Sequence, residues 1–275
     1  MRWSRECLPE GGWGAQRILI TGASGGIGQA LVQEFAVAGA RILISGRRTE
    51  PLEALVECYP GQVTALAADL TRADERARLA AASREAGSNM LINAAGVNRM
   101  GLFETCSAED IQHLLTLNLT ATLQLTRDLL PQLLAARHGW VINLGSTFGT
   151  LGYPGQACYC ASKFALRGFT QALRRELANT RVRVLLVSPR ATRTRMNAPD
   201  VEALNRELGN TMDTPAQVAS AVRRAIERGR EETQLGAPER LYTRLNAMMP
   251  SLVDRALARQ WPVIRRFIDK PENAS

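Results

Sequence analysis

Short apolar runs alternate with longer segments of helical spacing along most of the chain. Near-continuous aliphatic and β-branched runs predict strands at 17–21, 41–45, 63–70, 90–94, 140–144 and 182–187, with a short seventh at 233–236. Helical periodicity predicts helices at 29–38, 73–86, 108–117, 119–136 and 158–178. Within the fourth of these helices, Pro131 marks a bend or an end. Strands that are apolar on both faces and separated by helices are typical of a parallel sheet covered on both sides.

The predicted fold class is α/β. Right-handed crossovers give a single Rossmann-type doubly wound parallel sheet of about seven strands, with helices on both faces. No proline- or glycine-rich linker, internal repeat or low-complexity segment divides the sequence. We expect an N-terminal tail over 1–16, the Rossmann-type domain over 17–237, and a C-terminal amphipathic helical extension over 238–275.

The extension repeats apolar residues at helical spacing from Leu241 to Phe267, with arginines between them. Pro250 and Pro262 predict its division into short helices. A basic amphipathic segment that contains Trp261 is suited to peripheral contact with an anionic membrane surface. The alternatives are packing across a cleft of the main domain or against another subunit.

Composition narrows the class of protein. Hydrophobic residues make up 45% and charged residues 22% of the chain, as in ordinary globular proteins. The odd number of cysteines, five, without a CxxC pair and the two scattered histidines favour neither a disulfide framework nor a metal site. The first 16 residues lack the apolar core of a secretory signal, and no apolar run reaches the length of a membrane span. We expect a cytoplasmic protein, with peripheral membrane association as the alternative.

The net charge of +8 comes largely from arginines in 190–206 and 240–270. Neither segment has interleaved stacking aromatics or a nucleic-acid-binding motif. Anionic substrates or a lipid surface therefore fit this charge better than nucleic acid does.

A glycine-rich loop, Thr21-Gly-Ala-Ser-Gly-Gly-Ile-Gly28, joins the first predicted strand directly to the first helix. Glycines let the backbone approach a pyrophosphate, and a helix N-terminus supplies amide donors and a favourable dipole. The context of strand, loop and helix favours dinucleotide binding over a tight turn without a ligand.

Further motifs follow this loop in order. Asp69 ends the third strand, Asn93-Ala-Ala-Gly96 ends the fourth, Asn118 lies in the next helical region, Ser146 ends the fifth strand, and Tyr159 precedes Lys163 in a YxxxK pattern. From about Arg17 to Ala237 the chain resembles the short-chain dehydrogenase/reductase family, with Ala94 in place of that family's second asparagine. The resemblance implies a homo-oligomer formed through the helices near 119–136 and 157–178. It also implies a nicotinamide cofactor bound by Gly22, Ser24, Gly26, Ile27, Gly28, Arg47, Asp69, Leu70, Asn93, Ala94, Gly96, Tyr159, Lys163 and Thr194.

The resemblance implies hydride transfer between a ketone and a secondary alcohol. Tyr159 is the expected acid/base, although a free tyrosine has a pKa near 10. Lys163 lies four residues later on the same helical face, and its charge, together with that of an oxidised nicotinamide, is expected to lower this pKa. By resemblance Lys163 also binds the ribose, Ser146 polarises the carbonyl, and Asn118 holds a water for proton relay. Taken singly, each residue also fits a structural role, and Asn93 is expected to tie neighbouring strands together.

The end of the second strand indicates NADP(H) as the cofactor. Ser45-Gly-Arg-Arg48 contains no acid to bind a ribose 2′-hydroxyl, and Arg47 can contact a 2′-phosphate. The alternative interpretation is two solvated arginines that begin a loop. Gly25 occupies the place where some NADP-preferring relatives carry a basic residue in the glycine loop.

After the sixth strand, Arg190 replaces the glycine that the family has there. Thr194 is the best match for the ligand of the nicotinamide carboxamide, and Thr192 is the alternative. Residues 190–213 are expected to cover the substrate. Their arginines, with Met196, Leu204, Leu208 and Met212, suit a carbonyl or alcohol substrate whose acyl chain is carried on a phosphorylated thioester, or a solvated lid without a partner. Two other functions stay open: an NADPH sensor and a membrane-peripheral interaction protein on the same scaffold.

Overall fold

Seven parallel strands form one sheet, in agreement with the predicted α/β fold. The computed structural model describes residues 11–195 and 199–269, so Met196, the first ten residues and the last six lie outside the described residues. The sheet order is β3-β2-β1-β4-β5-β6-β7. The strands are β1 (Arg17–Thr21), β2 (Arg41–Gly46), β3 (Val63–Ala67), β4 (Met90–Asn93), β5 (Gly139–Leu144), β6 (Val182–Ser188) and β7 (Glu232–Gln234).

Ten α-helices are present in the described residues. They are α1 (Gly26–Val37), α2 (Thr49–Cys58), α3 (Ala73–Glu85), α4 (Ala108–Leu115), α5 (Ala121–Ala135), α6 (Ala157–Glu176), α7 (Pro199–Glu207), α8 (Pro215–Glu227), α9 (Ala237–Met248) and α10 (Pro250–Ile268). A π-helical turn over Thr116–Thr120 joins α4 to α5 without a break.

Alternate side chains of each strand enter different layers of the core. Ile18 and Ile20 pack with residues of α1, α2 and α8 on one face of the sheet, whereas Leu19 packs with residues of α3, α5 and α6 on the other. The strand order reverses between β1 and β4, and in open α/β sheets this reversal leaves a crevice at the carboxyl ends of the strands. The glycine loop follows β1 at this crevice.

Asn93 ties two central strands together, as predicted. Its Nδ2 donates to Asn143 Oδ1 at 2.8 Å and to Thr126 Oγ1 at 3.2 Å, and Asn143 Nδ2 donates to Thr170 Oγ1 at 2.9 Å. All four residues are buried. The network connects β4 and β5 to α5 and α6, and its members satisfy one another's polar groups in the core.

Pro131 and Pro262 each lie inside a helix, which excludes the predicted division at Pro262 and, for Pro131, the helix end but not the bend. Pro131 is within α5 and Pro262 is within α10, so the extension is divided at Pro250 only. A proline inside a helix loses one backbone hydrogen bond. Burial of apolar side chains on both sides outweighs that loss, since Leu129 and Leu133 flank Pro131, and Leu257 and Ile264 flank Pro262.

The extension packs across the crevice, which is one of the three alternatives for it. Val253 and Leu257 of α10 pack against Leu151, and Ile264 and Phe267 pack against Leu204 of α7. Asn246 Nδ2 also donates to the carbonyl oxygen of Thr150 at 3.0 Å. Within the described part of the chain, no helix combines the length and apolar character needed to cross a bilayer.

Candidate active site

The glycine loop between β1 and α1 is tightly folded. Gly22 has φ +70°, and a Cβ atom there would lie 2.7 Å from the backbone of Ala95. At Gly28, a Cβ atom would lie 2.1 Å from the carbonyl oxygen of Gly22. Only glycine fits these two positions, and the first amide groups of α1 lack intrahelical partners. This cradle fits the pyrophosphate of a dinucleotide.

The end of β2 lies against the same loop. A Cβ atom at Gly46 would lie 2.6 Å from Ser24 Oγ, and Arg48 Nη2 donates to the carbonyl oxygen of Ser24. Arg47 is exposed beside it. Arg48, which belonged to the predicted motif without a role of its own, therefore holds the loop in place through Ser24.

Asp69 lies two residues beyond the end of β3, which is shorter than predicted. Its carboxylate accepts hydrogen bonds from Thr71 N at 2.9 Å and Thr71 Oγ1 at 2.7 Å. Burial opposes ionisation, but these bonds and the charge of Arg47 outweigh it and hold the pKa of Asp69 below its usual value. The next residue, Leu70, is buried, and its carbonyl oxygen accepts from Arg76 Nη1 at 2.7 Å.

The segment after β4 is held against the loop by Thr21. Its Oγ1 accepts from Ala94 N at 3.2 Å and from Ala95 N at 3.3 Å. Gly96 follows, and a Cβ atom there would lie 3.1 Å from Asn118 Oδ1 and 3.8 Å from Lys163 Nζ. Residues from three predicted motifs therefore meet at one point.

Ser146, Tyr159 and Lys163 lie close together in the structure. Ser146 lies two residues after β5, where its Oγ accepts from Phe148 N at 3.2 Å, and it lines the same cavity as Tyr159. Tyr159 and Lys163 lie one turn apart on α6. Lys163 Nζ is 5.7 Å from the centroid of the tyrosine ring and donates to the carbonyl oxygen of Leu144 at 2.9 Å.

Burial dominates the protonation of this set. It raises the pKa of Tyr159 to about 12, although the neighbouring Ser146 side chain acts in the opposite direction. Burial also lowers the pKa of Lys163 to about 8. The expectation that Lys163 and an oxidised nicotinamide together lower the pKa of Tyr159 concerns the complex with cofactor, and it stays a prediction.

Asn118 occupies the π-helical turn and is 1% exposed. Its Oδ1 accepts from Val97 N at 2.8 Å, and its Nδ2 donates to Val97 O at 2.8 Å and to Ser162 Oγ at 3.2 Å. Both amide hydrogens are thus used, so a relay water has to bind through an oxygen lone pair of this residue. π-helical turns occur frequently at functional sites, but the periodicity of the sequence gave no sign of this one.

Thr194 lies beside the glycine loop. A Cβ atom at Gly26 would lie 3.0 Å from Thr194 Cγ2, and Thr194 lines the same cavity as Ile27, Ser146 and Tyr159. The predicted ligand of the nicotinamide carboxamide thus faces the start of α1.

Arg190 has an ordinary backbone conformation, since every positive φ in the described residues belongs to glycine. Its guanidinium bonds Asp213 Oδ1 through Nε at 3.0 Å and Nη2 at 2.7 Å, and Nη1 lies 3.5 Å from Glu239 Oε2. We call these three residues the Arg190 cluster. Because Arg190 is paired, the predicted basic cover over the substrate is less basic than expected, although Arg193 and Arg195 are exposed.

A cavity of about 300 Å³ opens at the side chains of Ser146 and Tyr159. Its walls include Leu204 of α7 and Leu151 after β5. The extension contributes residues that sequence reasoning did not place in the site, and their only signal was the apolar periodicity of that segment. They include Tyr242, Leu257 and Gln260.

The family model described as short chain dehydrogenase matches residues 16–205. Nodulation protein G from Rhizobium sp. (strain N33) is 38% identical over 215 residues, which cover 75% of this chain and 87% of that protein. The 3-oxoacyl-(acyl-carrier-protein) reductase FabG from Rickettsia bellii is 34% identical, with the same coverage of 75% and 87%.

Solved structures agree with the fold. A short chain dehydrogenase from Burkholderia cenocepacia in complex with NADP has a TM-score of 0.77 and 27% identity, and the match covers 88% of this chain and 97% of that one. A short chain dehydrogenase/reductase from Burkholderia phymatum in complex with NAD has a TM-score of 0.79 over 86% and 94% of the two chains. At 23% identity, this second likeness concerns the fold alone.

Proposed function

The chain belongs to the short-chain dehydrogenase/reductase family, and we propose that it is an NADP(H)-dependent oxidoreductase that interconverts a ketone and a secondary alcohol. The observation that carries the proposal is that Ser146 and Tyr159 line one cavity, with Lys163 one helical turn from the tyrosine. A complete proton-transfer set has no use in a protein that only senses a dinucleotide.

Tyr159 is the proton donor in the direction of reduction. With its pKa near 12, the phenol keeps its proton at neutral pH and can give it to the carbonyl oxygen of the substrate. Ser146 orients and polarises that oxygen, because its own oxygen is already fixed by Phe148 N. When bound, a reduced nicotinamide supplies the hydride that the carbonyl carbon receives. In the direction of oxidation, the positive charge of an oxidised nicotinamide favours the tyrosinate.

Lys163 and Asn118 hold the rest of the site in place. The lysine ammonium retains donors beyond the one that it gives to Leu144, and these can reach a ribose hydroxyl. Asn118 fixes the turn after β4 through both backbone groups of Val97. A water on an oxygen lone pair of Asn118 would complete a route for protons between Lys163 and solvent.

The cofactor preference rests on the end of β2. No acid follows this strand, Arg47 is exposed there, and Arg48 braces the loop at Ser24. A guanidinium at this place makes charge-assisted hydrogen bonds to a 2′-phosphate, which NADP(H) has and NAD(H) lacks. The Burkholderia cenocepacia relative was solved with NADP and the Burkholderia phymatum structure with NAD, so the cofactor preference depends on the residues at the end of β2.

The substrate belongs to the class of ketones and secondary alcohols, and the FabG relative supports one with an acyl group. Titration of the purified protein with NADPH and NADH, followed by nicotinamide fluorescence, tests the nucleotide site. NADPH oxidation across a panel of ketones and 3-oxoacyl thioesters then tests the reaction. Turnover that Tyr159→Phe does not reduce would refute the catalytic assignment.

The proposal also includes association of the protein with further copies of itself and with a membrane surface. Leu134 of α5 and Phe164 of α6 are large, exposed apolar side chains on the two helices expected to join subunits. A homo-oligomer would cover them, and size-exclusion chromatography with light scattering tests this.

Leu241, Met248 and Leu252 are exposed on the extension. Peripheral membrane contact of a cytoplasmic enzyme would use that surface, and sedimentation with anionic vesicles tests it.

A further inference from the structure

Two cysteines from distant parts of the chain line one small cavity beside the active site. Cys106 follows the short 3₁₀ turn Phe103–Thr105 after β4, and Cys158 is the second residue of α6. Both side chains border a cavity of about 10 Å³, which holds one water molecule at most. The two cysteines therefore share a space that has no room for a ligand between them.

Backbone hydrogen bonds hold the two segments together. Gly101 N donates to Gly155 O at 2.9 Å, and both glycines line the same small cavity as the cysteines. Cys106 N donates to Phe103 O at 3.1 Å, and its Sγ lies 3.5 Å from the carbonyl oxygen of Leu102. The Cys106 thiol is thus fixed within a folded turn that is anchored to the segment before α6.

The two thiols also affect each other's protonation. Burial raises the pKa of the Cys158 thiol, and Cys106 raises it further, whereas the charge of Arg99 acts in the opposite direction. Arg99 pairs with Asp110, and both of these residues line the small cavity. Because a thiolate is the reactive form of cysteine, reaction of this pair with an oxidant should become faster as the pH rises.

The other described cysteines lie in different surroundings. Cys106 and Cys158 are half-buried, so a small oxidant can reach them. Cys160 is buried, and its Sγ lies 3.8 Å from the carbonyl oxygen of Leu151. Cys58 is exposed at the last residue of α2. These two residues therefore supply a buried and an exposed control for the pair.

We propose that Cys106 and Cys158 form a reversible disulfide in the presence of a peroxide, and that this bond ties the loop after β4 to the first turn of α6. This modification site goes beyond the proposed function and does not depend on it. The bond would lie next to the active site, since Tyr159 follows Cys158 directly and Asn98 of the same loop lines the active-site cavity.

The chemistry needs only the two thiols and hydrogen peroxide. One thiolate attacks the peroxide, breaks its O–O bond and becomes a sulfenic acid. The second thiolate then forms the S–S bond and displaces the sulfenic oxygen as hydroxide. Two thiols and one peroxide thus give one disulfide and two water molecules, and the two electrons that the sulfur atoms lose reduce the peroxide. A dithiol such as dithiothreitol reverses the bond by exchange.

Thiol titration and peptide mapping test the bond on the full-length protein. The reduced protein, freed of dithiothreitol, is treated with hydrogen peroxide at pH 7 and pH 9 and then denatured. The number of thiols should fall from five to about three, faster at pH 9, and a peptide that links Cys106 to Cys158 should appear by mass spectrometry. No loss of thiols, or a loss without this linked peptide, overturns the inference.

Serine variants separate the pair from the other cysteines. Cys58→Ser and Cys160→Ser should still lose two thiols and give the linked peptide. Cys106→Ser should give no intramolecular disulfide that contains Cys158. A disulfide between Cys158 and another cysteine in the wild-type protein overturns the assignment of its partner. The mapping of the wild-type protein needs no variant, so it decides the matter even if a variant fails to fold.

Turnover measures the effect of the bond on the site. Formation of the bond draws the loop and the first turn of α6 together, so we expect oxidation to lower kcat of the wild type and of Cys58→Ser at least threefold. Dithiothreitol should restore the rate, and Cys106→Ser should keep its rate under peroxide. An equal loss in Cys106→Ser would overturn the effect on the site. The mapping requires no turnover, so its failure and the failure of the proposed function are distinguishable.

Discussion

The ammonium nitrogen of Lys163 donates a 2.9 Å hydrogen bond to the carbonyl oxygen of Leu144, the last residue of β5. The lysine is 6% exposed, and burial lowers its pKa from 10.5 to about 8. One neutral carbonyl thus compensates only part of the hydration that the charged group loses on folding. The charged form of Lys163 is therefore less favourable in the folded protein than in the unfolded chain, and the stability of the protein depends on pH.

We expect the free energy of unfolding to rise between pH 8 and pH 10. In this window the folded protein releases the Lys163 proton, whereas the unfolded chain keeps it until about pH 10.5. The unfolded state therefore binds more protons, and the gain from this group is roughly 2–3 kcal/mol. Tyr159 has the opposite effect, but only above pH 10, since its pKa is raised from 10.0.

Urea unfolding of the protein without cofactor at pH 7, 8, 9 and 10 measures this dependence. Lys163→Met should remove the increase and should be more stable than the wild type at pH 7. An increase of the same size in Lys163→Met would assign it to other groups.

Tyr159→Phe should lower kcat by about 10²- to 10⁴-fold, because the substrate oxygen loses its proton donor. NADPH affinity should stay within about threefold of the wild-type value, because the ring remains in place, where an edge contact to Phe148 holds it. Tyr59→Phe, after α2, is the matched control and should keep full activity. Steady-state kinetics and fluorescence titration provide the two readouts.

Arg47→Asp should weaken NADPH binding by about 10- to 100-fold, the range expected when a charge-assisted hydrogen bond is replaced by repulsion. NADH affinity should be unchanged or higher, because an acid at this position can accept a bond from the ribose 2′-hydroxyl. Arg41→Asp changes the same charge at the opposite end of β2 and serves as the control. Equal loss of both cofactors in Arg47→Asp would argue against a contact with the 2′-phosphate.

Arg190→Met should lower the free energy of unfolding by about 3 kcal/mol, because Asp213 and Glu239 are left without their cation in a largely buried place. The double variant Arg190→Met with Asp213→Asn should recover part of this loss. Arg193→Met, at an exposed position nearby, should change stability by less than about 0.5 kcal/mol. Equal stability of Arg190→Met and Arg193→Met would show that the Arg190 cluster contributes no more to stability than an exposed arginine does.

Local patterns predicted most of the fold and the centre of the site. Apolar runs predicted strands because each strand of a parallel sheet is buried on both faces, and the order of motifs at strand ends placed Ser146 beside Tyr159. The Arg190 cluster could not be predicted from local patterns, because Arg190 forms ion pairs with residues 23 and 49 positions later in the chain. Pro262 misled the prediction because burial of Ile264 and Phe267 is a tertiary effect that helix rules do not include.

The π-helical turn at Asn118 sets the rotation of α5 relative to α4. It places one additional residue in the continuous helix between α4 and α5, and each residue turns a helix by about 100°. Loss of one residue from Thr116–Thr120 would therefore swing Asn118 away from Val97, or swing the buried leucines of α5 off the sheet. After such a deletion the helix can preserve either the contact of Asn118 with Val97 or the packing of α5 on the sheet, but not both. The number of residues in this turn is therefore constrained by the site and by the core together.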